Sequence, residues 1–445
     1  TAAAEALTCA VRVHNRKAEQ KDTVYISELI PADRVSVIHN YCQGAGIEIK
    51  TLKHDDNGCI NLEDVNRAQG SCAVYVEQPN PIGIIDGGYP SLKEIIGENT
   101  ALIVGVQPVS LGLLEAPGNY GADIVIGEGQ PLGSPITGGG PIYGIFGCTK
   151  PYLRLMPGRI VGRSIDVDGK EAYCLTLSTR EQHIRREKAT SNICTAQVLL
   201  SVMASMYAVY HGKGGIKAIA TNVNQKTREL ANSLNGSGYN IVHDQFFDTI
   251  RISLDSNQKD KIKKIAEDAL INFRYFNNGD IGISLDETVK NKDIEKIASL
   301  FGSKLIDSNK FILNLNRESD FLEHEIFNSF HSETEMMRYI HRLESKDLAL
   351  NTSMISLGSC TMKLNAATQM IPVSWPEFSL PHPFAPKEQN KGYLEIFDNL
   401  SNWLKNITGL DGCSLQPNSG AQGEYTGLFT IRAYHIDHEN INKNI

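Results

Sequence analysis

At 445 residues, 41% hydrophobic and 21% charged, the chain is too long for one ordinary core and calls for two to four domains. A net charge of -8 with no long basic run argues against a nucleic-acid surface, and no apolar run approaches the roughly 20 residues needed to span a bilayer. Nine cysteines without a Cys-x-x-Cys, and 12 histidines without a His-Glu-x-x-His, suit a reducing compartment and argue against zinc.

The first residues, Thr1 to Leu7, read as a helix entered without a cap. A strand is predicted over residues 22–26, and a helix over 32–44 that a glycine closes. Strands follow over 48–52 and 72–77, the second ended by Gln78-Pro79-Asn80-Pro81. A helix near 91–97 leads to strands at 101–106 and 121–126. Such β/α alternation predicts an α/β fold with a mostly parallel sheet covered by helices.

A long apolar periodicity over 190–211 is punctuated by Gly212-Lys213-Gly214-Gly215, after which the texture changes. Residues 216–234 read as a helix, 247–253 as a strand and 259–273 as a helix. Asn277-Asn278-Gly279-Asp280 turns a hairpin into 281–285, and 293–301 is again helical. That order predicts a small α+β domain with its helices on one face of an antiparallel sheet. Residues 303–385 read as a linker or arm, and a helix over 389–407 opens what resembles a second copy of the first domain. Ala2-x-x-Glu5 and Ala421-x-x-Glu424, each followed by an apolar helix and an arginine (Arg12, Arg432), echo each other. The expected organisation is a truncated large domain over 1–205, a small domain over 206–320, an arm over 321–388 and the start of a second large domain over 389–445. Both ends are expected to be cuts in a longer protein.

Four segments carry candidate chemistry. In Gln416-Pro-Asn-Ser-Gly-Ala-Gln-Gly-Glu-Tyr425, Ser419 can cap a helix whose free amides and dipole favour phosphate, while Gly420 and Gly423 admit close approach; an ordinary cap is the alternative. Thr137-Gly-Gly-Gly-Pro141 lacks the Lys-Ser/Thr of a P-loop and reads as a turn between strands. No Gly-x-Gly-x-x-Gly follows a strand, which leaves a dinucleotide enzyme without support. In Thr179 to Lys188, Arg180, His183 and Arg186 fall near one helical face and could grip a carboxylate or a subunit partner, against a merely solvated face. In Ser356 to Leu364, Cys360 has no neighbouring histidine to activate it, so the segment reads as a pocket-lining loop.

These strings, with Ile281-Gly-Ile-Ser-Leu-Asp-Glu-Thr288, Phe330-His-Ser-Glu-Thr334 and Leu357-Gly-Ser-Cys-Thr-Met-Lys-Leu-Asn365, resemble the glycine-decarboxylating P-proteins of the glycine cleavage system. The resemblance runs collinearly over essentially the whole chain. It implies two fold-type-I transferase halves built around pyridoxal 5'-phosphate, the first degenerate and the second catalytic. Such a site needs an acid at a strand end, to keep the pyridine nitrogen protonated, and a lysine some way on. After the strand at 101–106 stands Gln107, and where the family's catalytic half has His-Lys this chain has Gln130-Pro131. By the same resemblance, Ser419, Gly420, Ala421 and Gln422 would meet the cofactor phosphate, and the holding lysine is expected beyond Ile445. Ser359, Cys360, Thr361 and Lys363 become substrate-pocket candidates, and Arg180 and His183 positioning candidates. The implied reaction decarboxylates glycine and passes the aminomethyl group to the lipoyl arm of H-protein, in a homodimer of the bacterial cytoplasm or, in a eukaryote, the mitochondrial matrix. This piece alone is expected to be inactive. The alternative is a natural non-catalytic subunit that pairs with a pyridoxal-phosphate subunit or binds H-protein.

Overall fold

A computed structural model describes residues 1–17, 21–189, 197–306, 313–346, 352, 354 and 366–439. They fall into two compact units. One comprises 1–133, 144–193 and 203–349; the other comprises 134–143, 194–202 and 350–445.

The first unit is built on a six-stranded sheet. Its strands are β1 (Thr23–Ser27), β2 (Glu48–Leu52), β3 (Ala73–Gln78), β4 (Ala101–Val106), β5 (Ile124–Glu128) and β6 (Gly144–Cys148), in the order β2-β1-β3-β4-β5-β6. All pairs are parallel except β5 with β6. Successive side chains point to opposite faces, so a central strand must be apolar at every position. Val24, Ile26, Ala73, Tyr75, Ala101 and Ile103 pack beneath the helices Ala2–Lys17 and Ala32–Gly44, through Ala6, Leu7, Ala10 and Ile38 among others. Tyr25, Val74, Val76, Leu102 and Val104 face the opposite layer, which Val65, Tyr89, Leu92 and Ile96 supply. An exposed two-stranded hairpin, β7 (Val161–Ile165) with β8 (Glu171–Leu175), follows the sheet.

The small domain is a four-stranded antiparallel sheet of β9 (Asn240–Ile241), β10 (Thr249–Ser253), β11 (Arg274–Tyr275) and β12 (Ile281–Ser284), in the order β11-β12-β10-β9. Ile250 and Ile252 pair with Ile283 and Ile281. These residues point toward Leu230, Leu234, Ile262, Ile294 and Ile297 on the covering helices. The helix that carries Ile262, Ser256–Asp268, starts from an Asp255–Gln258 capping box, three residues earlier than its apolar period predicts.

The boundary expected at 205/206 falls inside one helix, Val198–Gly236. Gly212, at φ 57°, ψ −172°, leaves helical geometry and divides that span into two helical stretches across a kink, where the glycine cluster punctuates the sequence. A Cβ at Gly212 would collide with the Phe327 carbonyl. The expected arm also divides. Its helix Glu333–Glu344 belongs to the first unit, where Met336 and Tyr339 pack on Val209, while residues from 350 onward belong to the second.

Within the second unit, Trp375, Phe378, Tyr393 and Phe397 form a chain of ring contacts, and the Tyr393 hydroxyl donates to the Phe378 carbonyl at 2.6 Å. Helices Lys391–Thr408 and Gly420–Asp437 carry many exposed apolar side chains, Trp403 and Ile407 the most open on the first.

Two contacts of the first unit can be tested one at a time. Gly83 has φ +95° and lies against the Thr249 carbonyl, so Gly83→Ala should cost about 2–4 kcal/mol, read as a lower denaturant midpoint with unchanged slope. Glu115 fastens the segment after 313 to the large domain by accepting from the Ser319 hydroxyl and the Glu318 amide. Burial works to raise its carboxyl, but the bonds from Ser319, Glu318, Ala116 and Asn119 outweigh it and hold it at about 2. The stabilisation is therefore complete above the ordinary value of 4.5 and is lost as pH falls through about 2. At neutral pH Glu115→Gln should loosen the segment by roughly 1–2 kcal/mol at this half-exposed position, seen as faster amide exchange near Glu318.

Candidate functional site

In open α/β sheets ligands bind beyond the carboxyl ends of the strands. At that edge of the first unit the polar side chains are engaged internally. Glu77, near the end of β3, is buried and accepts from the Tyr75 hydroxyl at 2.5 Å and from Arg34 Nη1. Burial, then the neighbouring Glu77 carboxylate, push the Tyr75 phenol well above its usual value. The Gln78 amide bridges the Asp86 backbone, donating to its carbonyl and accepting from its N–H, both at 3.0 Å. Gln107, following β4, accepts from the Ser110 amide at 2.7 Å and so caps the short 3-10 turn Pro108–Gly112.

The position suited to a pyridinium-holding acid is thus a neutral amide spent on a helical cap. Beyond β5 comes Gln130, then Pro131, which has no side-chain amine. The residues at this edge do not fit pyridoxal phosphate. Sequence reasoning found Gln107 and Pro131 but missed Tyr75, Glu77 and Arg34. The available signal was a carboxylate ending the apolar run 72–76.

The second unit presents a helix start instead. Ser419, extended at φ −157°, ψ 166°, caps the helix Gly420–Asp437 by accepting from the Gln422 amide at 3.3 Å. The Gln422 side chain returns to accept from the Asn418 amide at 2.6 Å. The amides of Gly420 and Ala421 open the helix, where no preceding turn accepts from them. A Cβ at Gly420 would meet open space. This arrangement suits a phosphate. The turn at Thr137–Gly139, in the same unit, is a single 3-10 turn between β5 and β6, as its missing lysine predicts.

Arg180 and His183 do not share a helical face. Leu177 and Arg186, at φ 52° and 53°, bracket a 3-10 turn Ser178–Arg180 and a single α-turn Gln182–Arg185, with extended Glu181 between them. Arg180 is turned inward and donates to the carbonyls of Leu153, Met156 and Gly158, while His183 is exposed. Arg186, grouped with them in sequence, sits beyond the turn and is exposed. Ser359, Cys360, Thr361 and Lys363 lie outside the described residues, as does Cys194.

A profile of the glycine cleavage system P-protein matches residues 1–301. The chain belongs to that family. A glycine dehydrogenase (decarboxylating) of Pelagibacter ubique is 43% identical over 453 aligned positions, covering 100% of this chain and 46% of that relative. One from Thermosynechococcus vestitus is 50% identical over 345, covering 77% of this chain and 36% of the relative. The chain therefore spans about half the length of the curated relatives it matches. A crystal structure of glycine decarboxylase (P-protein) of the glycine cleavage system, in inhibitor-bound form, superposes with a TM-score of 0.59 at 27% identity, covering 67% of this chain and 68% of that one. The α/β architecture is that of the fold-type-I pyridoxal-phosphate transferases, as the P-protein resemblance implies.

The cap at Ser419 sets how sharply the phosphate-suited helix begins. Ser419→Ala should cost that helix about 1 kcal/mol, detected as faster exchange of the Gln422 and Gly423 amides with little change elsewhere.

Proposed function

We propose that this chain is part of a pyridoxal-phosphate-dependent glycine decarboxylase, which releases CO2 from glycine and passes the aminomethyl group to the lipoyl arm of H-protein. When bound, the cofactor supplies the electron sink for the carbanion that decarboxylation leaves. The observation that carries the reading is the contrast between the strand-edge site of the first unit and the helix start of the second. Gln107 and Pro131 leave the first without acid or amine, and Ser419 heads a helix start suited to phosphate.

In this reading the first half is a wall and does no chemistry. Its sheet edge is closed upon itself through Glu77, Tyr75 and Arg34. Ser419, Gly420, Ala421 and Gln422 hold the cofactor phosphate, and the lysine that anchors the cofactor lies in the part of the relatives this chain does not match. Ser359, Cys360, Thr361 and Lys363 line the glycine pocket. His183, exposed, is available to substrate or partner, whereas Arg180 acts by holding the loop at 153–158. The whole enzyme works as a homodimer with lipoylated H-protein. The bacterial relatives favour a bacterial cytoplasm as its setting. Among the described residues no helix is long and apolar enough to cross a membrane.

The test is cofactor stoichiometry in the full-length polypeptide. Borohydride reduction followed by peptide mapping should yield one labelled lysine per chain, outside residues 1–445. A labelled lysine within that range would refute the assignment of the first half as cofactor-free.

A further inference from the structure

A cavity lies at the opposite edge of the large sheet. The start of helix Ala2–Lys17 is at the carboxyl edge, since a Cβ on Gly144 would touch Ala2 and Gly144 pairs with Glu128 at the end of β5. β6 then runs antiparallel to β5 until Cys148 pairs with Ile124, at the amino edge. The chain leaves there through Lys150 to Leu155, against the far end of the same helix. Between them is a cavity of about 380 Å3. That is within the roughly 300–1,000 Å3 of small-molecule sites.

Its composition is two-sided. Val13, Leu153, Leu155 and Leu177 give an apolar wall, and Arg16, Lys150 and Arg154 contribute three cations with no carboxylate among the lining residues. All three cations are exposed, and among the described residues none has a hydrogen bond or ion pair. The wall is braced from behind. Arg180, buried, donates to the carbonyls of Leu153, Met156 and Gly158 and fixes the loop that carries Leu153, Arg154 and Leu155. Leu177 is held at φ 52°, a conformation that bulky apolar side chains seldom adopt.

We propose that this cavity binds an amphipathic organic anion, an aliphatic chain ending in a carboxylate or phosphate. The chain lies on the leucines, and the head group is held by Arg16, Lys150 and Arg154. No lining carboxylate offsets these three charges, so an anion can pair with them while its chain covers the wall. The site lies away from the carboxyl edge, so it is an effector or carrier site and not a substrate site. It does not depend on the proposed reaction.

The experiment titrates the full-length protein by calorimetry with octanoate, with hexyl phosphate and with inorganic phosphate. Octanoate, hexyl phosphate or both should bind saturably, one per chain, and which of them does so identifies the preferred head group. Arg16→Gln combined with Arg154→Gln should weaken that binding about tenfold or more, with the circular dichroism spectrum unchanged. Leu177→Asn suits the left-handed backbone and removes part of the wall, so it should weaken the aliphatic ligands and leave any binding of inorganic phosphate as it was. Absence of saturable aliphatic binding would overturn the proposal. So would aliphatic binding indifferent to the double variant, or inorganic phosphate binding as tightly as the aliphatic anions.

Discussion

Both faces of the parallel sheet are apolar, and that constraint organises the first unit. Because Val24 and Tyr25, or Val74 and Tyr75, point in opposite directions, neither face can be left to water. Helices Ala2–Lys17 and Ala32–Gly44 close one side, and the layer around Tyr89, Leu92 and Ile96 closes the other. Polar groups are thereby driven to the strand ends, so the carboxyl edge is where charge has to be either used or neutralised. Here it is neutralised: Glu77 meets Arg34 and a tyrosine hydroxyl, and Gln107 turns back on Ser110.

What could be read without coordinates follows the same logic. The continuous apolar run at 101–106 coincides with β4, because a buried parallel strand leaves no polar position to blur its limits, and 48–52 coincides with β2, an edge strand that is mostly open to water. The helix Ala32–Gly44 was equally legible, with a proline before it and glycines after it. The glycine cluster at 212–215 was legible as well: Gly212 leaves helical geometry there, and Phe327 and His331 crowd the kink between the two helical stretches. The basic segment at 179–188 was misleading: helical spacing puts Arg180 and His183 on one face only if the helix is continuous, and extended Glu181 interrupts it between them.

The candidate site was half legible. That Gln107 carries no charge and Pro131 no side-chain amine is visible in the letters alone. The contacts around them are not. The Glu77, Tyr75 and Arg34 cluster joins residues 43 apart in sequence across two elements, and the cavity near Arg154 joins a helix end to a loop far along the chain. Such gatherings are set by topology and have no local periodicity to announce them.

The small domain meets the large one main chain to main chain. The Ile85 amide donates to the Gln245 carbonyl at 2.9 Å, Ile84 bridges to Phe246, and Gly83 faces Thr249 with only a hydrogen between them. Hinged closure requires a layer of side chains that can slip to a new set of partners. Sliding this seam would strip backbone bonds before replacements came within reach, so the two domains travel as one block. Relative motion within the first unit is then left to segments outside this seam.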